Sequence, residues 1–94
     1  MPIEFDPPST QDLTQLKKDR AATGIEMAEI FWLGGDHQWR KYTGGKEPRV
    51  MGPHMAFLGA AKMELTAEEF DRVLRRMETF GARVRPAPDG EQQP

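Results

Sequence analysis

Asp36-His37-Gln38-Trp39-Arg40-Lys41-Tyr42 sets four hydrogen-bonding side chains around two aromatic residues three positions apart. On a helix, residues three apart share a face, so Trp39 and Tyr42 point one way and His37, Gln38, Arg40 and Lys41 the other. A polar face of this kind suits base recognition, because Gln pairs bidentately with adenine and Arg with guanine. Stacking of single-stranded bases on Trp39 and Tyr42 is the competing chemistry. Their shared face, opposite Arg40 and Lys41, favours a place in the core.

Other reactive constellations are absent from the pattern. His37 beside Asp36, with His54 further on, lacks the i, i+4 spacing of a helical metal pair, and the chain has no cysteine. Glu26, Glu29, Glu64, Glu68 and Glu69 fall mostly at helix starts, where capping and the helix dipole account for them without acid–base catalysis. Gly34-Gly35 and Gly44-Gly45 follow no strand and lack the spacing of a phosphate-binding loop. The expectation is therefore no enzyme, no metal and no cofactor.

The elements that position this face are helical. Thr23-x-x-Glu26 is a capping box that opens a helix, followed by Met27, Ala28, Ile30, Phe31 and Leu33, dense enough in apolar residues to be largely buried. Gly34-Gly35 is expected to end it, since glycine takes the positive φ of a C-cap, and Asp36 to cap the next helix, which runs to Gly44-Gly45. Before this pair, Ser9 or Thr10 starts a first helix with Leu13 and Leu16 inward and Lys17, Lys18 and Arg20 near its end. After it, Gly52-Pro53 starts a fourth helix with Met55, Leu58, Ala61 and Leu65 inward. Thr66-x-x-Glu69 opens a fifth whose stripe is Phe70, Val73, Leu74, Met77 and Phe80, closed by Gly81. The fold class is all-α: a compact bundle of about five helices containing a helix-turn-helix. Residues 1–8 read as an N-terminal arm, with a strand or apolar clip through Ile3 and Phe5 as the alternative to a tail. Residues 9–82 form the domain, and 83–94 a disordered C-terminal tail.

Met27-Ala28-Glu29-Ile30-Phe31, the glycine corner, and Trp39-Arg40-Lys41-Tyr42-Thr43-Gly44-Gly45 together resemble the helix-turn-helix of the lambda-repressor/Cro (Xre-type) regulators, including small phage and anti-CRISPR-associated repressors. In this resemblance Met27 and Ala28 take the core positions of the second helix. Trp39 and Tyr42 take the buried positions of the recognition helix, and Gly44 or Gly45 its terminal glycine. It covers about Ser9 to Leu65. Two departures stand out: Gly24 occupies the place of the family's phosphate-touching Gln, and the turn is a residue longer. The resemblance implies a sequence-specific, double-stranded DNA-binding transcriptional regulator, a repressor of a phage, mobile-element or toxin–antitoxin operon. It would act as a homodimer on a palindromic operator. Gln38, Arg40 and His37 would then read bases, and Lys41, Lys46, Arg49, Lys17, Lys18 and Thr43 would hold phosphates.

Ninety-four residues at 37% hydrophobic support one small core. The net charge of −2 is not that of a strongly basic DNA binder. Between Asp36 and His54, however, Arg40, Lys41, Lys46 and Arg49 outnumber Asp36 and Glu47, and cellular salt screens the more distant acids. No apolar run approaches a membrane span of about 20 residues, and the N-terminus lacks a signal-peptide pattern. The expected location is cytoplasmic. The rival reading is a protein-binding adaptor with the same helical fold and no DNA affinity. The fifth helix's stripe is either a dimer interface or intramolecular core, and Trp32 either caps the core or meets a partner.

Overall fold

A computed structural model describes residues 2–86 and places five helices among them, with no strand. They are α1 (Thr10–Asp19), α2 (Gly24–Ile30), α3 (Asp36–Thr43), α4 (Pro53–Glu64) and α5 (Ala67–Glu78). The all-α class and the helix number agree with the sequence reading. Residues 87–94 of the expected tail lie outside the described residues.

Three of the helices start on reciprocal capping boxes. In α1 the Asp12 amide donates to Ser9 Oγ (3.0 Å) and the Ser9 amide donates back to Asp12 Oδ2 (2.9 Å). Thr23 with Glu26 and Thr66 with Glu69 repeat the arrangement at α2 and α5. Each box satisfies two amides that the helix itself leaves without partners. Helix α4 starts instead with Pro53 at its first position, where the missing N–H costs nothing.

The corner between α2 and α3 differs from expectation. Trp32, not a glycine, adopts the left-handed conformation (φ 55°). The Leu33 amide donates to the Ala28 carbonyl (2.8 Å) and the Trp32 amide to that of Glu29 (3.3 Å), a Schellman closure of α2. These two bonds end the helix before Gly34 is reached, leaving residues 31–35 as the connection. The same closure ends α1, with Ala21 at φ 51°. Asp36 is likewise not the cap of α3 but its first residue; Gly35 takes the cap position, with no side-chain bond.

The core is Leu13, Met27, Ala28, Phe31, Trp39 and Met51, drawn from α1, the α2–α3 pair and the segment before α4. Trp39 is buried, as its spacing predicts, and stacks on Phe31 with centroids 5.7 Å apart. Tyr42 is half-buried and packs against this cluster. Helix α4 approaches through Gly59: a Cβ there would lie 2.0 Å from Cε1 of Phe31. Gly59 is therefore the buried point of α4, while the expected inner residues Met55, Leu58, Ala61 and Leu65 are half-buried and Phe57 is exposed. In the N-terminal arm Ile3 and Phe5 are exposed and form no strand.

Helix α5 stands apart from this core and contributes no buried residue. Its attachment runs through Phe70, whose ring meets Trp32 edge-on at 6.1 Å. Lys62 of α4 closes the joint. Its Nζ lies 5.9 Å from both ring centroids and donates to the Glu29 carbonyl at 2.7 Å, near the C-terminal end of α2. Burial holds the Lys62 amine below its usual value, with the Glu29 charge opposing.

Candidate nucleic-acid interface

Helix α3 owes its position to Trp39, which is anchored from below by Phe31 and faces α1 and α2. With that residue fixed, the 100° step of the helix sets the direction of the others. His37 and Arg40 are exposed, while Gln38, Lys41 and Thr43 are half-buried. The Thr43 hydroxyl leans back toward the Arg40 carbonyl (3.5 Å). Gly44 ends the helix, and the following loop turns back on it, with the Arg49 amide donating to the Lys41 carbonyl at 2.7 Å. Arg49 and Lys46 are exposed on that loop.

Arg40 is not a free side chain. Its Nε lies 3.2 Å from Oδ2 of Asp36, one turn back on α3. Asp36 in turn rests over Gly24, where a Cβ would fall 1.6 Å from Oδ1. Glycine at position 24 thus has a structural reason: a Cβ there would displace the carboxylate that holds Arg40. The i, i+4 spacing of Asp36 and Arg40 signals such a pair in the sequence, but assigning Asp36 to the cap concealed it.

The structure brings together residues that lie on different helices. Lys17 of α1, Thr23 and Gly24 at the start of α2, and Asp36, Trp39, Arg40 and Thr43 of α3 line one depression, with Thr14 and Ala22. Its volume is about 590 Å³. Lys17 and Arg40 put two cations on its wall, and Thr14 and Thr23 are polar members that the sequence reading did not count among the site residues. Lys18, exposed near the end of α1, does not line it, nor do His37, Gln38, Lys41, Lys46 or Arg49. His37, Gln38 and Lys41 lie on α3 outside the depression, and Lys46 and Arg49 on the loop that follows it.

Among the described residues no group of three or more His, Cys, Asp or Glu side chains is placed to hold a metal ion. No helix among them is long and apolar enough to cross a membrane. No protein family, curated protein or solved structure matches this chain. What the chain does must therefore be argued from its own side chains.

Proposed function

We propose that this chain binds double-stranded DNA in a sequence-dependent way, as a cytoplasmic transcriptional regulator, with α2 and α3 serving as a helix-turn-helix. One observation carries the reading: α3 is a short helix pinned by a buried tryptophan, with His37 and Arg40 exposed and cations on its flanks. In this reading Gln38, Arg40 and His37 meet base edges in the major groove. Lys41, Lys46 and Arg49 hold the backbone on one side, and Lys17, Lys18 and Thr43 hold it on the other. The resemblance to Xre-type repressors further suggests a homodimer on a palindromic operator.

The Asp36 pair bears on whether Arg40 can read a base. Its two side chains are 66% and 42% exposed, so the pair is worth at most about 1 kcal/mol. A bidentate guanine contact contributes about 1–3 kcal/mol of discrimination. The contact wins, and Asp36 then acts as a guide for the guanidinium, not a lock.

The test is affinity for selected and scrambled duplexes at two salt concentrations. Arg40→Ala should weaken selected DNA by about 1–3 kcal/mol and leave scrambled DNA much less affected. Lys41→Ala or Arg49→Ala should weaken both alike and reduce the salt slope by about one unit. An absence of binding to any duplex at low salt defeats the proposal and leaves the adaptor.

A further inference from the structure

A run of cations richer than that on α3 lies at the far end of α5. From Arg72 to Arg85 five arginines stand against one acid, Glu78, while the stretch from Asp36 to His54 has four cations against two acids. Arg75 is held by Asp71, one turn back. Arg72 and Arg76 have no carboxylate within ion-pair distance among the described residues. Glu69, three residues before Arg72, has its carboxylate engaged by the Thr66 amide (2.9 Å). Glu78 projects from the other side of the helix.

The helix sets the two unpaired cations in line with an open ring. Arg72 and Arg76 are one turn apart. Phe80 follows one turn later, in the turn that closes the helix, where its amide donates to the Met77 carbonyl (3.1 Å). Arg72 and Arg76 stand between two shallow depressions, one shared with Arg75 and Thr79, the other with Leu65, Glu69 and Val73. Phe80 is 72% exposed, whereas Phe70 at the other end of α5 is engaged by Trp32. Past the left-handed turn at Gly81, Arg83 and Arg85 are exposed on either side of Val84.

Two features of this ridge choose its partner. A guanidinium fork matches phosphate bidentately, and two of them about 6 Å apart along the helix suit a chain of anions better than a single one. A bare aromatic ring at the end of a cationic row suits a nucleobase, since every base has a face to stack on. In a duplex those faces are covered by the neighbouring pairs, so the ring selects an unpaired strand. An acidic peptide would answer the arginines and leave Phe80 without a role.

We propose that the Arg72–Arg76–Phe80 ridge of α5 binds single-stranded nucleic acid, the arginines holding phosphates and Phe80 stacking on a base. The site lies apart from α3 and goes beyond the duplex reading proposed above.

Fluorescence anisotropy of the full chain with labelled oligothymidylate and oligouridylate of about 15 nucleotides, at two salt concentrations, tests it. Both strands should bind at low salt, and the tighter one shows whether DNA or RNA is preferred. Arg72→Ala with Arg76→Ala should weaken binding at least about tenfold and flatten the salt slope by about 0.7 for each arginine. Phe80→Ala should weaken it about fivefold or more, and Phe80→Trp should restore it. Helix content by circular dichroism should stay constant, since all three side chains point to solvent. Arg40→Ala should leave single-strand binding unchanged, so loss of the duplex activity alone does not touch this site. Absence of binding to either strand at low salt overturns the proposal. Insensitivity to Phe80→Ala, with polyglutamate competing as well as an oligonucleotide, reduces the ridge to a general polyanion surface and overturns the single-strand assignment. An Arg40→Ala loss as large as that of the arginine pair moves the site to α3 and overturns it too.

Discussion

Replacing Gly59 by alanine sets two effects against each other, and the structure decides the sign. Gly59 lies inside α4, where Gly→Ala ordinarily stabilises by about 0.5–1 kcal/mol by restricting the unfolded chain. Here the new methyl would meet three atoms of the Phe31 ring at 2.0, 2.6 and 2.6 Å. Ordinary contact begins near 3.4 Å, so the ring must retreat by more than an ångström. Behind it sits Trp39, stacked at 5.7 Å and 1% exposed, so Phe31 cannot move without displacing the largest side chain of the core. Overpacking of this sort costs about 1–3 kcal/mol, and the absence of free space argues for the upper part of that range. The net expectation is a loss of about 1–2 kcal/mol, or about 5–15 °C in Tm for a domain of this size. Urea and thermal unfolding by circular dichroism would measure it. A double-mutant cycle with Phe31→Leu isolates the cause: once that ring is replaced by the smaller side chain, the penalty of Gly59→Ala should shrink by about 1 kcal/mol or more. A Tm that rises for Gly59→Ala alone refutes the close approach of α4 to Phe31.

Ala21→Gly should stabilise the domain by about 0.5–1 kcal/mol, because alanine bears left-handed strain at φ 51° that glycine does not; an unchanged or lower midpoint in urea counts against the Schellman closure of α1. Ser9 and Thr66 hold the Asp12 and Glu69 carboxyls below their ordinary values of 3.8 and 4.5 by amide and hydroxyl hydrogen bonds. A depressed carboxyl supports the fold above its ordinary value and stops doing so as pH falls through the lowered one. Stability should therefore decline below about pH 4, and Asp12→Asn with Glu69→Gln should flatten that decline; equal acid sensitivity in the variant removes the caps as its cause. Gly24→Ala should push the Asp36 carboxylate off its seat with little change in Tm, since the far end of an exposed side chain moves easily. Once DNA binding is established, the same variant should change the preference for selected over scrambled duplex by up to about fivefold, which no change at all would contradict.

The parts of this fold that were readable in advance are those decided within four residues. A T-x-x-E box closes on itself whatever lies around it, so Thr23, Thr66 and the glycine-proline start of α4 read correctly. Trp39 was legible for a related reason, because a helix with one polar face leaves its aromatic residue only the other. The corner at Trp32 was not. Backbone preference points to glycine for a left-handed residue, and the two Schellman bonds that override it depend on where α2 stops. The reason for Gly24 lies twelve residues away in the Asp36 carboxylate, out of reach of any local pattern. The depression shared by Lys17 and Arg40 needed the packing of α1 against α3 to bring its walls together. The α5 stripe marked an apolar face without saying what would cover it, and among the described residues Phe70, Leu74 and Met77 are half-buried while Val73 and Phe80 stay exposed.

Trp32 ties these observations together. Its backbone makes the corner that aims α3, through the amide bonds of residues 32 and 33 to α2. Its side chain makes the joint that aims α5, through Phe70 and the bridging Lys62. One residue thus takes part in orienting both the proposed reading helix and the exposed stripe. Aromatic edge contacts tolerate small rotations at a cost of only about 0.5–1.5 kcal/mol in total. Lys62, held at 2.7 Å to the Glu29 carbonyl, supplies the stiffness that the ring contact lacks.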